Sequence, residues 1–564
     1  MAFQVSPGVQ VKEIDATSVV PAVSTSIGGF AGAFNWGPVE EVRLVSSEDS
    51  MASIFSTPDN DTAKYFLTAA SFLKYGNALK VVRVVETTAN NASSTGDTTL
   101  VVKNEDSYDS QTFTLSAQGT WIAKYPGDLG NSISVHMCAD GTGTNFSSWT
   151  YAGQFDAKPE TSDYAVLKGK TGILDELHIA VVDKLGYISG TPGTVLETFS
   201  FLSQLSDAKD GSGTSTYYKN VINNQSKYIW WGDHHATLVS AGESVTLQVE
   251  STAMAGVVNA ADLSGGIDGN EPTAGNIATG FDLLSDSETI DVNLLFAYPD
   301  ANGVNTIAAD LISIAESRKD CMAFISPPLE DSVNATAPTT SVVAYADTLN
   351  STSYASLDSG AVYVYDKYND VYRWIGSAGL CAGLCANADN VADAWFSPAG
   401  VNRGQLLGVT KLAYNPTKAQ RDELYKSRVN PLVSFPGQGT MLFGDKTLLS
   451  RPSAFDRINV RRLFIVLEKA ISVAAKAQLF EFNDEFTRAQ FRNLLEPFLR
   501  DVKGRRGVTD FLVVCDETNN TGQVIDSNNF VADIFIKPSR SINFITLNFI
   551  ATRTGVDFSE VAGG

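Results

Sequence analysis

The chain has little of what disulfide-stapled folds, membrane proteins and most hydrolases rely on. Only five cysteines occur in 564 residues, at Cys138, Cys321, Cys381, Cys385 and Cys515. An odd, scattered set is not a disulfide framework and points to synthesis in a reducing compartment. Only four histidines are present, His136, His178, His234 and His235, and none follows residue 235. No apolar run approaches the ~18 residues of a membrane span. The opening MAFQVSPG lacks a basic region followed by an apolar one, so the expectation is a protein made and used without crossing or inserting into a membrane by itself. Positive charge is also short: 41 Lys and Arg stand against 63 Asp and Glu, a net charge of −22. That balance argues against a nucleic-acid partner and favours solubility with self-repulsion.

Catalytic constellations are equally sparse. GTMLFGDKT has Gly439 and Gly444 at the spacing of a phosphate-binding loop, but Asp445 sits where its lysine belongs and would repel phosphate, so an ordinary turn is expected. A Ser-His-Asp hydrolase needs a histidine, and all four lie in the middle of the chain. His234-His235 has no accompanying ligand cluster, and Cys381 and Cys385 in GLCAGLCA read as small buried thiols. The reading is a protein that is not an enzyme and needs no cofactor or metal.

What is present is mass and pattern. At 43% hydrophobic content and ~150 residues per domain, the chain can build three or four cored domains. STSIGGFAGAFNWGPVEEVRLV predicts two strands around a glycine-rich turn, DTAKYFLTAASFLKYGN a helix stopped at Gly76, and ALKVVRVV a strand buried on both faces. From about 87 to 120, Ser, Thr, Asn and Asp predict a surface insertion, and 121 to 275 is rich in strands and turns. DVNLLFAYPD, NTIAADLISIAESRKD and CMAFISPPL then alternate as strand, helix and strand, resuming a parallel α/β unit, and 330 to 360 reads as a long exposed loop. Two helices, from Arg457 and from about Asn483 as N-cap, and three strands close the chain.

Charge is unevenly placed. Arg451 to Arg506 carries twelve basic and seven acidic residues, a positive island in an acidic chain. Arg462, Lys469 and Lys476 recur every seven residues along one helix, beside the stripe Leu463, Leu467, Ile471, Ala474 and Ala475. Two readings remain open: a solvated helix face, or a docking face for an acidic surface. At the start, SPGVQVKEID alternates like a half-buried strand, yet no hairpin partner follows it.

The segments SPGVQVKEID, FNWGPVEEV, YGNALKVVRVV, YPGDLGNSI, YDKYNDVYRW, SPAGVNRGQLLGVTKLA, FGDKT, FDRINVRRLF, VVCDETNNT and KPSRSINFITLNFIAT, in order from residue 6 to about 560, resemble the tail sheath proteins of contractile-tailed, T-even-type bacteriophages. The resemblance is weakest over 87–120, where family members often carry a larger outward domain. It implies a structural subunit of the virion that assembles in the host cytoplasm as stacked hexameric rings around a tail tube protein, meets baseplate and tail terminator proteins, and contracts to drive the tube through the host envelope. The same fold serves the sheaths of non-viral contractile injection devices. The implied fold is multidomain α/β and α+β: an amino-terminal arm (1–20), a subtilisin-like α/β domain without a catalytic triad (21–88 and 276–415), a reduced surface insertion (89–120), an outer β-rich or mixed domain (121–275) and an inner domain (416–564) with strand-exchanging arms. Val9, Val11 and Ile14, with Ile545, Leu547 and Phe549, are the expected strand-exchange residues, and Arg462, Lys469 and Lys476 are expected to face the tube.

Overall fold

In this computed structural model, which describes residues 23–238, 246, 247, 254 and 257–543, the stretch GGFAG forms strand β1 (Gly28–Gly32). It lies inside a seven-stranded sheet with β2 (Val42–Val45), β3 (Leu79–Arg83), β4 (Leu294–Phe296), β5 (Met322–Ile325), β6 (Ala355–Asp358) and β7 (Val429–Asn430). The order is β7-β6-β5-β4-β1-β3-β2, and every neighbouring pair is parallel except the edge pair β2 and β3. A parallel sheet must be covered on both faces. Helices Ala63–Leu73 and Ala378–Val391 cover one face, and Ala274–Asp282 and Thr306–Arg318 the other. Phe296 holds the first face together, with its ring 5.3 Å from Phe72 and 5.4 Å from Phe30. Gly379 sets how closely the two helices there approach: a Cβ would sit 2.4 Å from the Thr68 carbonyl oxygen.

Between β3 and β4 the chain builds a β-rich insertion with its own core. Strands Thr194–Ser203, Glu176–Asp183, Ile133–Cys138 and Val258–Asp262 form an antiparallel sheet in that order, and Trp121–Ala123 pairs with Ile229–Trp231. Its entering and leaving segments bridge at Asn90 with Ile267 and at Ser93 with Ser264. Residues 89–120 are not the separate surface insertion that their composition predicts. Leu100, Val102 and Tyr108 are buried with Ile122 and Trp230, and the Asn91 side chain donates to the Val102 and Ala123 carbonyls and accepts from the Val102 amide. One amide side chain thus does the work of a strand partner.

Two further expectations shift. The polar stretch 330–360 holds helix Pro338–Thr348, opened by proline in its first turn, and strand β6. The α/β unit also runs well past 415. β7 completes the sheet, and the Asn430 side chain donates to Ser356 Oγ and to the Leu357 and Lys446 carbonyls.

Two compact units result, one of Ala22–Ala394 with Pro398–Lys469, the other of Trp395–Ser397 with the described part of Ala470–Gly564. In the second, helix Glu485–Gly504 is capped by Asp484, not Asn483, whose carboxylate accepts from the Thr487 amide at 2.8 Å. The helix buries Phe491, Leu495, Leu499 and Val502, and packs on a hairpin of Val508–Val514 with Asp533–Pro538.

Candidate functional site

The expected strand-exchange residues Val9, Val11, Ile14, Ile545, Leu547 and Phe549 lie outside the described residues. What is described is a surface able to receive such strands. In the hairpin of Val508–Val514 and Asp533–Pro538, each strand has one neighbour among the described residues, so each presents an outer edge to which no other described strand pairs. Two-stranded sheets are marginal alone and rely on further strands or on a packed helix. Leu512 and Phe535 face each other across the hairpin, both well over half exposed.

The same unit concentrates apolar exposure that the sequence reading missed. Where the two closing helices join, Leu479, Phe480, Phe482 and Phe486 are 63–105% exposed. Phe480 adopts a left-handed backbone (φ 71°), unusual for a bulky residue. The signal was in LFEFNDEF, where three phenylalanines fall within seven residues, one of them, Phe480, out of register with the preceding apolar stripe. Monomeric proteins seldom display such runs unless a partner covers them.

The heptad line of basic residues divides. Arg462 is buried rather than outward-facing. Its guanidinium donates to Asp389 Oδ2 at 2.7 Å and to the carbonyls of Thr25, Cys385 and Ala394 at 3.2–3.4 Å. Lys469, one step on, is half-buried and paired with Asp291, while Lys476 is exposed. Neighbouring basic residues are likewise engaged: Arg457 pairs with Asp445, and Arg461 stacks 4.2 Å from the Tyr354 ring centre and 4.1 Å from that of Phe455. Burying a guanidinium requires a carboxylate or several carbonyls to replace its water, and Arg462 has both. The sequence hid this because Asp389 and Asp291 are remote along the chain.

The remaining candidates resolve into structure. His234 is buried and bonded to the Tyr217 and Tyr218 hydroxyls, and His178 to the Ala157 carbonyl. Cys381 and Cys385 are buried on helix Ala378–Val391, and burial pushes the Cys385 thiol up to about 12. In GDKT, Asp445 is buried near Arg457, and the Lys446 ammonium lies over the Tyr425 ring and donates to the Tyr425 carbonyl. Among the described residues no group of three potential ligands stands where it would hold a metal.

Family comparisons fit this architecture. Matches to the Tail sheath protein Gp18 domain III N-terminal region over residues 25–84, to the Phage tail sheath protein central domain over 270–448 and to the Phage tail sheath C-terminal domain over 450–552 leave the β-rich insertion between the first two. The chain is also 36% identical to the tail sheath protein of Vibrio phage KVP40, with 99% of both chains covered. This chain belongs to the phage tail sheath family. The sheath protein of Enterobacteria phage T4 is 34% identical, again over 99% of both. These alignments span 692 and 658 positions, more than the 564 of this sheath chain, so both relatives carry residues it lacks. Among solved structures, a sheath tail protein from Listeria innocua (TM-score 0.52, 12% identity, covering 92% of this chain and 96% of that one) shares the fold. So does the PVC sheath complex of an extracellular contractile injection system in its contracted state (0.52, 13%, 98% and 99%).

Proposed function

We propose that this sheath protein is the repeating subunit of a contractile phage tail. It polymerises as stacked hexameric rings around the tail tube in the host cytoplasm, joins baseplate and tail terminator proteins in the virion, and shortens to drive the tube through the host envelope. The observation that carries this reading is the smaller unit's pairing of an open-edged hairpin with exposed Leu479, Phe480, Phe482 and Phe486. Strand addition to such an edge supplies many backbone bonds through flexible connections, which suits subunits that must rotate and stay joined. In this reading Val9, Val11 and Ile14 of one subunit and Ile545, Leu547 and Phe549 of another extend neighbouring sheets. Lys476 faces the tube, where a salt-screened contact is weak enough to release. The α/β unit is a subtilisin-like body without catalytic chemistry, and its mostly parallel sheet, with all four histidines in the insertion, supports that. Identity of 31–36% to phage sheaths, against 13% to the injection-device sheath, favours the virion.

Removing residues 1–14 tests the proposal. The truncated chain is expected to stay folded by circular dichroism while the full chain, but not the truncation, forms hollow striated tubes in negative-stain images. Long tubes from the truncated chain would overturn the linking role of the arm.

A further inference from the structure

Among the described residues, the chain passes between its two units at residues 394/395, 397/398 and 469/470. Arg462, wholly within the larger unit, stands at the roots of two of these passages. It donates to the carbonyl of Ala394, the last residue before the first, and to that of Thr25, just before β1, and its own helix runs on two turns to the third. Asp389 Oδ2 receives both the Arg462 guanidinium and the Thr25 hydroxyl, at 2.7 and 2.6 Å. The side chains of the pair are 4% and 9% exposed. Ser24 and Thr25 line a small cleft against Ile465, Val466 and Lys469 of the same helix. Beyond the cleft, Lys469 pairs with Asp291, and the nearby Asn293 side chain accepts from the Ile27 amide.

We propose that the Arg462–Asp389–Thr25 cluster is a positioning site for assembly: it fixes on the larger unit the points from which the connections to the smaller unit depart. The inference rests on the sheath reading for its consequence. Neighbours pulling on the smaller unit then move the larger one as a single body, because the connections at Ala394 and at the end of the Arg462 helix are anchored to one buried charge pair. The anchor needs arginine, since a planar fork can bind a carboxylate and carbonyls from separate segments at once, and a lysine ammonium cannot span them. An ion pair serving only global stability would leave no such localised signature when weakened.

Hydrogen exchange measured by mass spectrometry on the full chain, before polymerisation, tests this in Asp389→Asn and Arg462→Lys. Exchange is expected to quicken on the order of tenfold at amides 24–28 and 463–469, with β5 and β6 unchanged. Tubes from the variants are expected to be markedly shorter than those of the parent chain. Thr25→Val, which removes only the hydroxyl bond, is the milder variant should the others not fold, and it should quicken 24–28 alone. Unchanged exchange at these amides, or acceleration spread evenly over the larger unit, would overturn the anchor, as would normal tube lengths alongside faster local exchange. A parent chain that forms no tubes would instead refute the sheath reading, while the exchange measurement would still judge the anchor.

Discussion

Among the described residues Arg83 binds no carboxylate directly, yet it is fully buried where β3 ends. Its guanidinium donates to the carbonyls of Phe34, Asn35, Gly37 and Pro126, joining the loop after β1 to the insertion. Burial draws its pKa down to about 10, and the charge persists because the carbonyl dipoles replace its water. Asp358, at the end of β6, is the acidic counterpart. It accepts from Ser326 Oγ and the Gly360 amide, and burial pushes its carboxyl up to about 7. A carboxyl with a raised folded pKa holds its proton better folded than unfolded, so its contribution is complete below about pH 4 and is lost as pH rises through 7. Asp358→Asn keeps an acceptor without the charge. The variant is therefore expected to match the parent in thermal midpoint near pH 4.5 and to exceed it at pH 8, by up to roughly 4 kcal/mol of stability. A scan of melting temperature against pH checks this. Neither role was legible in the sequence, because what a buried charge does depends on atoms contributed by distant segments.

The elements were more legible than their partners. Thr306–Arg318 and the strands flanking it announced themselves by periodicity, and hydrophobic period survives any tertiary arrangement. Pro338–Thr348 was hidden by Ser, Thr and Ala, which signal loops unless a helix packs them. Helix Ile458–Lys476 was found, with its heptad of basic residues, but the direction of those residues was not. That distinction can be measured. Arg462→Glu places a second anion against Asp389 and is expected to unfold or strongly destabilise the chain, since losing one partner of a buried pair costs about 3–5 kcal/mol. Lys476→Glu, on an exposed residue, should leave the melting temperature within ~2 °C while weakening attachment to the tube, read by co-sedimentation. Equal stability losses in the two variants would contradict their different placement.

At the scale of the whole molecule, a formal charge of −22 is repeated in every subunit of a helical polymer. Like-charged subunits repel, and salt shortens that repulsion to ~8 Å at 0.15 M. Polymerisation without tube is thus expected to strengthen from ~20 to ~200 mM salt, seen as a falling critical concentration in light scattering, whereas the proposed capture on a tail tube through Lys476 should weaken over the same range. The insertion carries a consequence of another kind. Its entry and exit run side by side, paired at Asn90 with Ile267, and Arg83 ties the insertion to the loop after β1 by bonding the Pro126 carbonyl together with those of Phe34, Asn35 and Gly37. Carbonyls are present whatever the side chains, so this join constrains almost nothing about the sequence that hangs from it. The remainder of the insertion can therefore lengthen, shrink or change in sequence without altering the sheet that carries it.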